Sequence, residues 1–302
     1  MPSPRPSTTR RLLGLTLAVS AALALPSAIA SPFHQKRAPV LEPGGYYNPT
    51  SNGGKWLTLA RNADGKGEPL NAVVVLDGGA NDDLFDDWSL SINFGSYLLD
   101  SQGVGSYVGE CLGQSDGARQ AANLGDGQGM RNQTDILREN FGDVTYGTCR
   151  ESAEGGEHFR VFPQVGPEAD SGAYFLAASS EEPLSQNHMI VPNGYDLGRD
   201  EVVRRATVSG GTKSPVTNRT FETTATNASG PGYFANVSID EINHGIATDG
   251  VVAVLNVKVT SDPVAAKSTS AGIRTLGSPS PLLVAQSASF ALFALFALAL
   301  LA

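Results

Sequence analysis

The longest apolar segments of the chain lie at its two ends. Residues 12–25 form a Leu- and Ala-rich run that follows three arginines and precedes the small residues Ala28-Ile29-Ala30. A basic start, a short apolar stretch and a small-residue cleavage pattern are typical of a secretory signal peptide, and such a run is too short to span a bilayer comfortably. We therefore expect residues 1–30 to be a signal peptide that is removed after Ala30.

A dibasic pair follows shortly after the predicted signal peptide. Lys36 and Arg37 match the kind of site that kexin-type proteases cleave. Cleavage there would make residues 31–37 a propeptide and Ala38 the first residue of the mature chain. The alternative is that these two residues are ordinary surface charges.

The C-terminal apolar segment, residues 282–302, carries no charged residue. It follows a polar linker, residues 266–281, that contains small residues at 270–272. Small residues, a polar spacer and an apolar tail together form the signal for a GPI anchor, whose attachment removes the tail. We expect attachment at Ser270, which would tie the protein to the outer leaflet of the plasma membrane. A neighbouring small residue or a tail-anchored helix is the alternative.

Between these ends, the hydrophobic pattern predicts one globular α+β domain over residues 38–265. Compact or alternating apolar runs predict strands at residues 69–77, 158–162, 173–178, 220–227 and 251–259. Helical spacing predicts helices at residues 82–99 and 197–206, the second capped by Asp196. Residues 163–172 are expected to be the loop of a hairpin. This order favours a mostly antiparallel sheet with the helices packed on one side.

The segment over residues 100–157 is rich in Gly and Asn, and we expect it to be loop-rich with a short strand near residues 109–112. It contains both cysteines of the chain, Cys111 and Cys149. In the oxidising compartment that a signal peptide implies, such a pair is expected to form a disulfide. A bond that closes a loop of this length stabilises a fold by about 4 kcal/mol in the chain-entropy model.

The charges are distributed unevenly along the chain. All 30 acidic residues lie between the processed ends, whereas six of the 21 Lys and Arg residues fall in segments expected to be removed. The mature domain would therefore carry a net charge of about −15. Because such a surface repels nucleic acid, we expect no nucleic-acid partner. Cell-wall polymers are the candidate partners outside the cell.

Four Asn-x-Ser/Thr sequons predict N-glycosylation in a secreted chain. They begin at Asn132, Asn218, Asn227 and Asn236. A glycan needs a surface position, so these residues are expected on loops or exposed strand ends.

The densest group of candidate catalytic residues lies between residues 158 and 200. His158, His188, Asp196 and Asp200 could carry out acid–base chemistry, because histidines and carboxylates transfer protons and bind metals. Their spacing matches no zinc motif, so the sequence assigns no metal ligand and identifies no cofactor. Each residue also has a structural alternative as a helix cap, an ion-pair partner or a backbone hydrogen bonder.

Several segments around these candidates carry a family resemblance. Residues 155–160, 171–177 and 188–200 resemble a group of uncharacterised secreted proteins from mushroom-forming fungi. The strand that starts at His158 and the segment 188–200 are more distantly similar to the C-terminal domain of bacterial LssY-type proteins. In that domain, a histidine-leading strand, a second strand and an H-x-I…D-x-x-R-D-like segment occur in the same order. Neither resemblance implies a reaction.

The sequence therefore favours a GPI-anchored, N-glycosylated protein of the cell surface or cell wall, and it leaves the biochemical activity undefined. One alternative is an extracellular hydrolase or metal-dependent enzyme that uses the four candidate residues. Another is a ligand-binding module whose pocket is lined by aromatic residues, namely Phe159, Phe162, Tyr174 and Phe175.

Overall fold

The computed structural model describes residues 39–261, except residues 62, 78–96, 98–101, 107–109, 116–118, 144 and 215–217. The predicted signal peptide, propeptide, GPI attachment site and apolar tail lie outside the described residues, as does all of the predicted helix at residues 82–99 except Tyr97. Among the described residues, no helix has the length and apolar character needed to cross a membrane.

The described elements are mostly strands. The strands are β1 (Thr58–Leu59), β2 (Ala72–Asp77), β3 (Val104–Ser106), β4 (Glu110–Cys111), β5 (Gln114–Ser115), β6 (Ala121–Ala122), β7 (Arg131–Asn132), β8 (Asp135–Glu139), β9 (Gly156–Gly166), β10 (Ala169–Glu181), β11 (Thr212–Lys213), β12 (Thr220–Ala228) and β13 (Val252–Ser261). The α-helices are α1 (Gly147–Glu154) and α2 (Gly194–Ala206). Short 3₁₀ helices lie at Pro49–Asn52, Leu184–Gln186, Phe234–Asn236, Ile239–Glu241 and Asn243–Gly245.

One eight-stranded sheet organises the described part of the chain. Its strand order is β11-β12-β13-β2-β10-β9-β8-β3. The pair β13–β2 is parallel, and the other neighbouring strands are antiparallel. Smaller antiparallel sheets are formed by β1-β6-β7 and by β4-β5. The predicted α+β class with a mostly antiparallel sheet is therefore confirmed.

The central strands are buried on both faces of the main sheet. Val74 and Tyr174 belong to one hydrophobic cluster, whereas their chain neighbours Val73 and Phe175 belong to another. Because successive side chains of a strand point to opposite faces, these clusters cover the two faces of the sheet. This explains why the central strands read as continuous apolar runs in the sequence.

Helix α2 packs directly on β10. A Cβ atom added at Gly198 would come within 2.6 Å of the Cα atom of Ser179, so glycine allows this close approach. Further along the helix, Val202 and Ala206 join the same cluster as Tyr174. Helix α1 instead contacts β8 and β3. The packing of both helices on one side of the sheet stays a prediction.

The hairpin formed by β9 and β10 is longer than predicted. Residues 163–172 are not a loop, because both strands continue to a turn at residues 167–168. The polar residues that suggested a loop are satisfied inside the sheet. The buried amide of Gln164 donates to the carbonyls of Tyr47 and Leu124, and its oxygen accepts from Ser171. A change in register between Asp170 and Tyr174 accommodates this arrangement.

The segment at residues 100–157 is more ordered than predicted. It contains β8, which joins the main sheet next to β9, and helix α1. Cys111 and Cys149 form the predicted disulfide, with their Cα atoms 5.4 Å apart. The bond connects β4 to α1, and Ile136 of β8 packs against the same pair. The disulfide thus attaches the start of this segment to the side of the sheet.

The start of α2 also differs from the prediction. The helix begins at Gly194, not at Leu197, and Asn193 precedes it in a left-handed conformation with φ of 62°. Asp196 therefore lies inside the first turn and does not cap the helix. Its carboxylate accepts the backbone N–H of Asp249 instead, which connects the helix to the segment before β13.

Candidate functional site

Glu181, the last residue of β10, lies between two histidines. Its Oε1 atom contacts Nδ1 of His158, and its Oε2 atom is 2.5 Å from Nδ1 of His188. The side chain of Glu181 is 8% exposed, that of His158 is 4% exposed and that of His188 is 11% exposed. The structure therefore brings two of the four candidate catalytic residues together through a carboxylate that the sequence analysis did not select.

The register of the sheet explains how His158 reaches Glu181. His158 on β9 pairs with Ser179 on β10, and Glu181 is two positions further along the same strand. Side chains two apart lie on the same face of a strand, so Glu181 and His158 face the same side.

His188 reaches the cluster through a different local structure. After the 3₁₀ helix Leu184–Gln186, Asn187 and His188 both have left-handed backbones, with φ of 60° and 53°. Asn and His are among the side chains that tolerate this conformation best. The chain turns back on itself, and Ile190 then forms a β-bridge with Glu181. This turn brings the imidazole of His188 against the carboxylate of Glu181.

Two more charged residues complete the cluster. Arg138 on β8 pairs with His158 in the sheet register. Its Nη1 atom is 2.6 Å from Oε2 of Glu151 and 3.4 Å from Oε2 of Glu181. Glu151 lies on α1 and is fully buried. We refer to these five side chains, Arg138, Glu151, His158, Glu181 and His188, as the Glu181 cluster.

The environment of the cluster shifts the pKa of each acid and imidazole. Burial raises the pKa of Glu151 to about 7 and lowers the pKa of His158. Burial opposes ionisation of Glu181 as well, but its contacts with His158, His188 and Arg138 hold its pKa well below the usual range. The hydrogen bond to Glu181 raises the pKa of His188. Glu181 is therefore an anion near neutral pH, and its hydrogen bond favours the protonated form of His188.

Some atoms of the cluster could bind a metal ion. One ligand atom each from Glu151, Glu181 and His188 lies within 4.8 Å of the other two. Nitrogen and carboxylate oxygen ligands of this kind suit zinc and related divalent ions. The histidines already use Nδ1 toward Glu181, which leaves Nε2 as the second ring position of each.

The other two candidate catalytic residues belong to a different group, centred on Arg199. The guanidinium of Arg199 lies 2.7 Å from Oδ1 of Asp200, 2.5 Å from Oδ1 of Asp249 and 3.5 Å from Oδ1 of Asp196. It also donates to the carbonyl of Val251. These bonds attach α2 to the segment before β13. Asp196 and Asp200 thus form ion pairs with Arg199. None of these contacts involves a residue of the Glu181 cluster.

Three members of the Glu181 cluster are not among the site residues predicted from the sequence: Arg138, Glu151 and Glu181. Glu181 is close to His188 in the sequence, but its position beside His158 depends on the pairing of β9 with β10. Arg138 lies in residues 135–139, a short stretch without apolar–polar alternation in a region rich in Gly and Asn. Glu151 gives no comparable signal, because a buried glutamate on a polar helix looks like a surface residue in the sequence.

The aromatic residues proposed to line a ligand pocket are core residues. Phe159 and Tyr174 belong to one hydrophobic cluster, and Phe162 and Phe175 belong to the other. The four rings therefore lie on opposite faces of the sheet and do not share a pocket. Phe162 alone borders a small cavity of about 90 Å³, which Leu124 also lines.

Three of the four predicted glycosylation sites are exposed in the structure. Asn132 lies on β7, Asn227 lies near the end of β12, and Asn218 lies in the segment before β12; all three are exposed. Asn236 is in the 3₁₀ helix Phe234–Asn236. The positions of Asn132, Asn218 and Asn227 are compatible with attached glycans.

Comparison with known proteins gives no matching family model, no matching curated protein and no matching solved structure. The fold and the site define an α+β protein with one disulfide and a buried cluster of histidines, carboxylates and an arginine. The resemblance to secreted proteins of mushroom-forming fungi and to the LssY-type domain stays a prediction.

Proposed function

We propose that this chain is a GPI-anchored, N-glycosylated protein of the cell surface or cell wall. The observation that carries the proposal is the disulfide between Cys111 and Cys149. Disulfides persist in oxidising compartments, and the predicted signal peptide at residues 1–30 would deliver the chain to such a compartment. The structure and the N-terminal sequence therefore support the same location.

The surface of the domain adds a second line of support. The sequon residues Asn132, Asn218 and Asn227 are exposed, as N-glycosylation requires. The predicted attachment at Ser270 lies only a few residues beyond β13, which would hold the domain close to the outer leaflet. A domain with a net charge of about −15 is suited to contact with the outside medium and with wall polymers.

The anchor can be tested by enzymatic release. The full chain, expressed in a eukaryotic secretory host, should appear on intact cells and should move to the medium after treatment with phosphatidylinositol-specific phospholipase C. A chain that lacks residues 282–302 should enter the medium without the enzyme. If the full chain stays with the membrane after treatment, or if removal of the tail does not release it, the GPI assignment is wrong.

Glycosylation can be tested on the same material. Removal of N-glycans by an amidase should lower the apparent mass, and each of the replacements Asn132→Gln, Asn218→Gln and Asn227→Gln should remove one step of that change. A mass that does not respond to the amidase would contradict the proposal for the glycans but not for the anchor.

A second candidate function is an extracellular hydrolase or metal-dependent enzyme. The convergence of His158 and His188 on Glu181 favours it. The low exposure of both imidazoles argues against it, because a catalytic group must reach its substrate. Hydrolysis of a panel of wall polymers that His188→Ala abolishes, without a change in melting temperature, would support the enzyme. A large loss of stability in that variant would show that His188 is structural.

A further inference from the structure

Among the histidines and glutamates of the Glu181 cluster, three buried polar atoms have no hydrogen-bond partner in the part of the chain that the structure describes. They are Nε2 of His158, Nε2 of His188 and Oε1 of Glu151. Buried polar atoms in folded proteins are nearly always paired, and an unpaired one indicates a water molecule or an ion that binds there. Two of these atoms belong to Glu151 and His188, whose side chains lie next to Glu181.

The positions of the carboxylates allow one ion to contact several of these side chains. Glu151 uses Oε2 toward Arg138, which leaves Oε1 available. Ligand atoms of Glu151, Glu181 and His188 lie within 4.8 Å of one another. Ligands bound to zinc at about 2.0–2.2 Å are at most roughly 4 Å apart, so the side chains must move closer to share one ion. The ion would take the place of the proton between Nδ1 of His188 and Oε2 of Glu181.

We propose that Glu151, Glu181 and His188 bind one divalent ion of the zinc class. Zinc accepts mixed nitrogen and oxygen ligands, whereas calcium and magnesium prefer oxygen ligands alone. The imidazole of His188 therefore selects for zinc and related transition metals over calcium.

The surroundings of the three ligands fit this assignment. Glu151 and Glu181 provide two buried carboxylates, and Arg138 is the cation that contacts both. His158 contacts Oε1 of Glu181 and orients that carboxylate, as residues behind metal ligands commonly do.

The direct test is metal binding by the full chain. The protein, purified in detergent from a secretory host and treated with a chelator, is titrated with zinc chloride and separately with calcium chloride in a calorimeter. We expect one zinc ion per chain and affinity for calcium at least about 100-fold weaker. Zinc should also raise the melting temperature, because it binds the folded state.

Matched variants identify the ligands. Glu151→Gln and His188→Gln should each weaken zinc binding at least about tenfold, because each removes one of three ligands. Glu154→Gln changes an exposed glutamate of the same helix, and His244→Asn changes an exposed histidine elsewhere; both should bind zinc like the unmodified chain. The proposal would be overturned if the unmodified chain did not bind zinc, or if Glu151→Gln and His188→Gln bound zinc as tightly as the unmodified chain. Water would then be the partner of the unpaired atoms.

A measurement on the unmodified chain covers the case in which a ligand variant does not fold. X-ray absorption of the zinc-loaded protein should show one imidazole and oxygen ligands at about 2.0–2.2 Å. A shell of oxygen atoms without imidazole would refute the site. None of these results depends on whether the chain carries a GPI anchor.

Discussion

Replacement of Glu181 by glutamine measures how far the cluster depends on one carboxylate. Glutamine keeps the size of the side chain but removes its charge and gives one acceptor oxygen in place of two. Glu181 now accepts from Nδ1 of both His158 and His188, and it faces Arg138. In Glu181→Gln, the amide nitrogen must face one of these donors, so one bond is lost and the positive charges lose their counter-charge.

The cost follows from the burial of the group. All the partners of Glu181 have side chains that are about a tenth exposed or less. Removal of one partner from a buried ion pair destabilises a protein by about 3–5 kcal/mol, because the remaining charge is left unpaired. We expect a loss of that size in the free energy of unfolding. Proton release from His188 relieves part of it at high pH.

The pH dependence of this loss gives a second signature. The hydrogen bond to Glu181 raises the pKa of His188 above its ordinary value of 6.5. The stability from this interaction is fully present below pH 6.5 and is lost as the pH rises through the folded-state pKa. The difference between the unmodified chain and Glu181→Gln should therefore be larger at about pH 5.5 than at about pH 8.

Urea unfolding followed by tryptophan fluorescence, to which the buried Trp56 contributes, measures both effects. Glu182→Gln is the matched control, because Glu182 is the next residue in the chain. Within the described part of the chain, its carboxylate accepts only from the exposed side-chain amide of Gln186. It should change the free energy of unfolding by about 0.5 kcal/mol or less. A loss below about 1 kcal/mol for Glu181→Gln, or one equal to that of the control, would show that the cluster is not held by charge.

Three further predictions concern other parts of the fold. Burial raises the pKa of Glu157 from 4.5 to about 7. The neutral carboxyl group therefore stabilises the fold below pH 4.5, and this stability is lost as the pH rises through about 7. In Glu157→Gln, the fall in the free energy of unfolding between these two pH values, measured by urea titration, should be smaller by about 3 kcal/mol. Replacement of Cys111 and Cys149 by serine opens a loop of 38 residues and should lower the free energy of unfolding by about 4 kcal/mol; an unchanged urea midpoint would contradict the disulfide. Gly198→Ala places a methyl group 2.6 Å from the backbone of Ser179 and should cost about 1–3 kcal/mol, and a neutral effect would contradict the close packing of α2 on β10.

The strands of the central sheet could be predicted from the sequence because buried strands consist mainly of apolar residues. The β-branched run of β2 and the valines of β13 lie on both buried faces, so every position favours an apolar side chain. The predicted strands at residues 69–77, 220–227 and 251–259 overlap β2, β12 and β13. What the sequence could not provide is the parallel pairing of β2 with β13, which joins segments far apart in the chain.

Helix α1 could not be predicted because its buried residues are not hydrophobic. The helix buries Gly147, Glu151 and Ser152, so a search for apolar periodicity finds nothing in it. Glycine at position 147 allows a close approach, since a Cβ atom there would lie 1.7 Å from the carbonyl oxygen of Asn140. The disulfide at Cys149 adds a covalent attachment in place of an apolar face.

The contrast between the two charged groups explains why the four candidate residues do not form a single group in the structure. Asp196 and Asp200 are close to Arg199 in the chain, and local geometry is enough to pair them. The Glu181 cluster instead depends on strand register, which places Arg138 opposite His158. Such a register is set by the whole sheet and by no local pattern.

The two groups also differ in how completely their atoms are paired. All three nitrogens of the Arg199 guanidinium, Nε, Nη1 and Nη2, donate to carboxylate or carbonyl oxygens. A structural role, the connection of α2 to the segment before β13, is enough to explain this group. The Glu181 cluster is more buried, yet it leaves Nε2 of His158 and His188 and one oxygen of Glu151 without partners among the described residues. Buried ionisable groups that serve structure alone should be fully satisfied, because each unpaired atom opposes folding. The Glu181 cluster, with unpaired buried atoms, is therefore the place to look for a bound ligand.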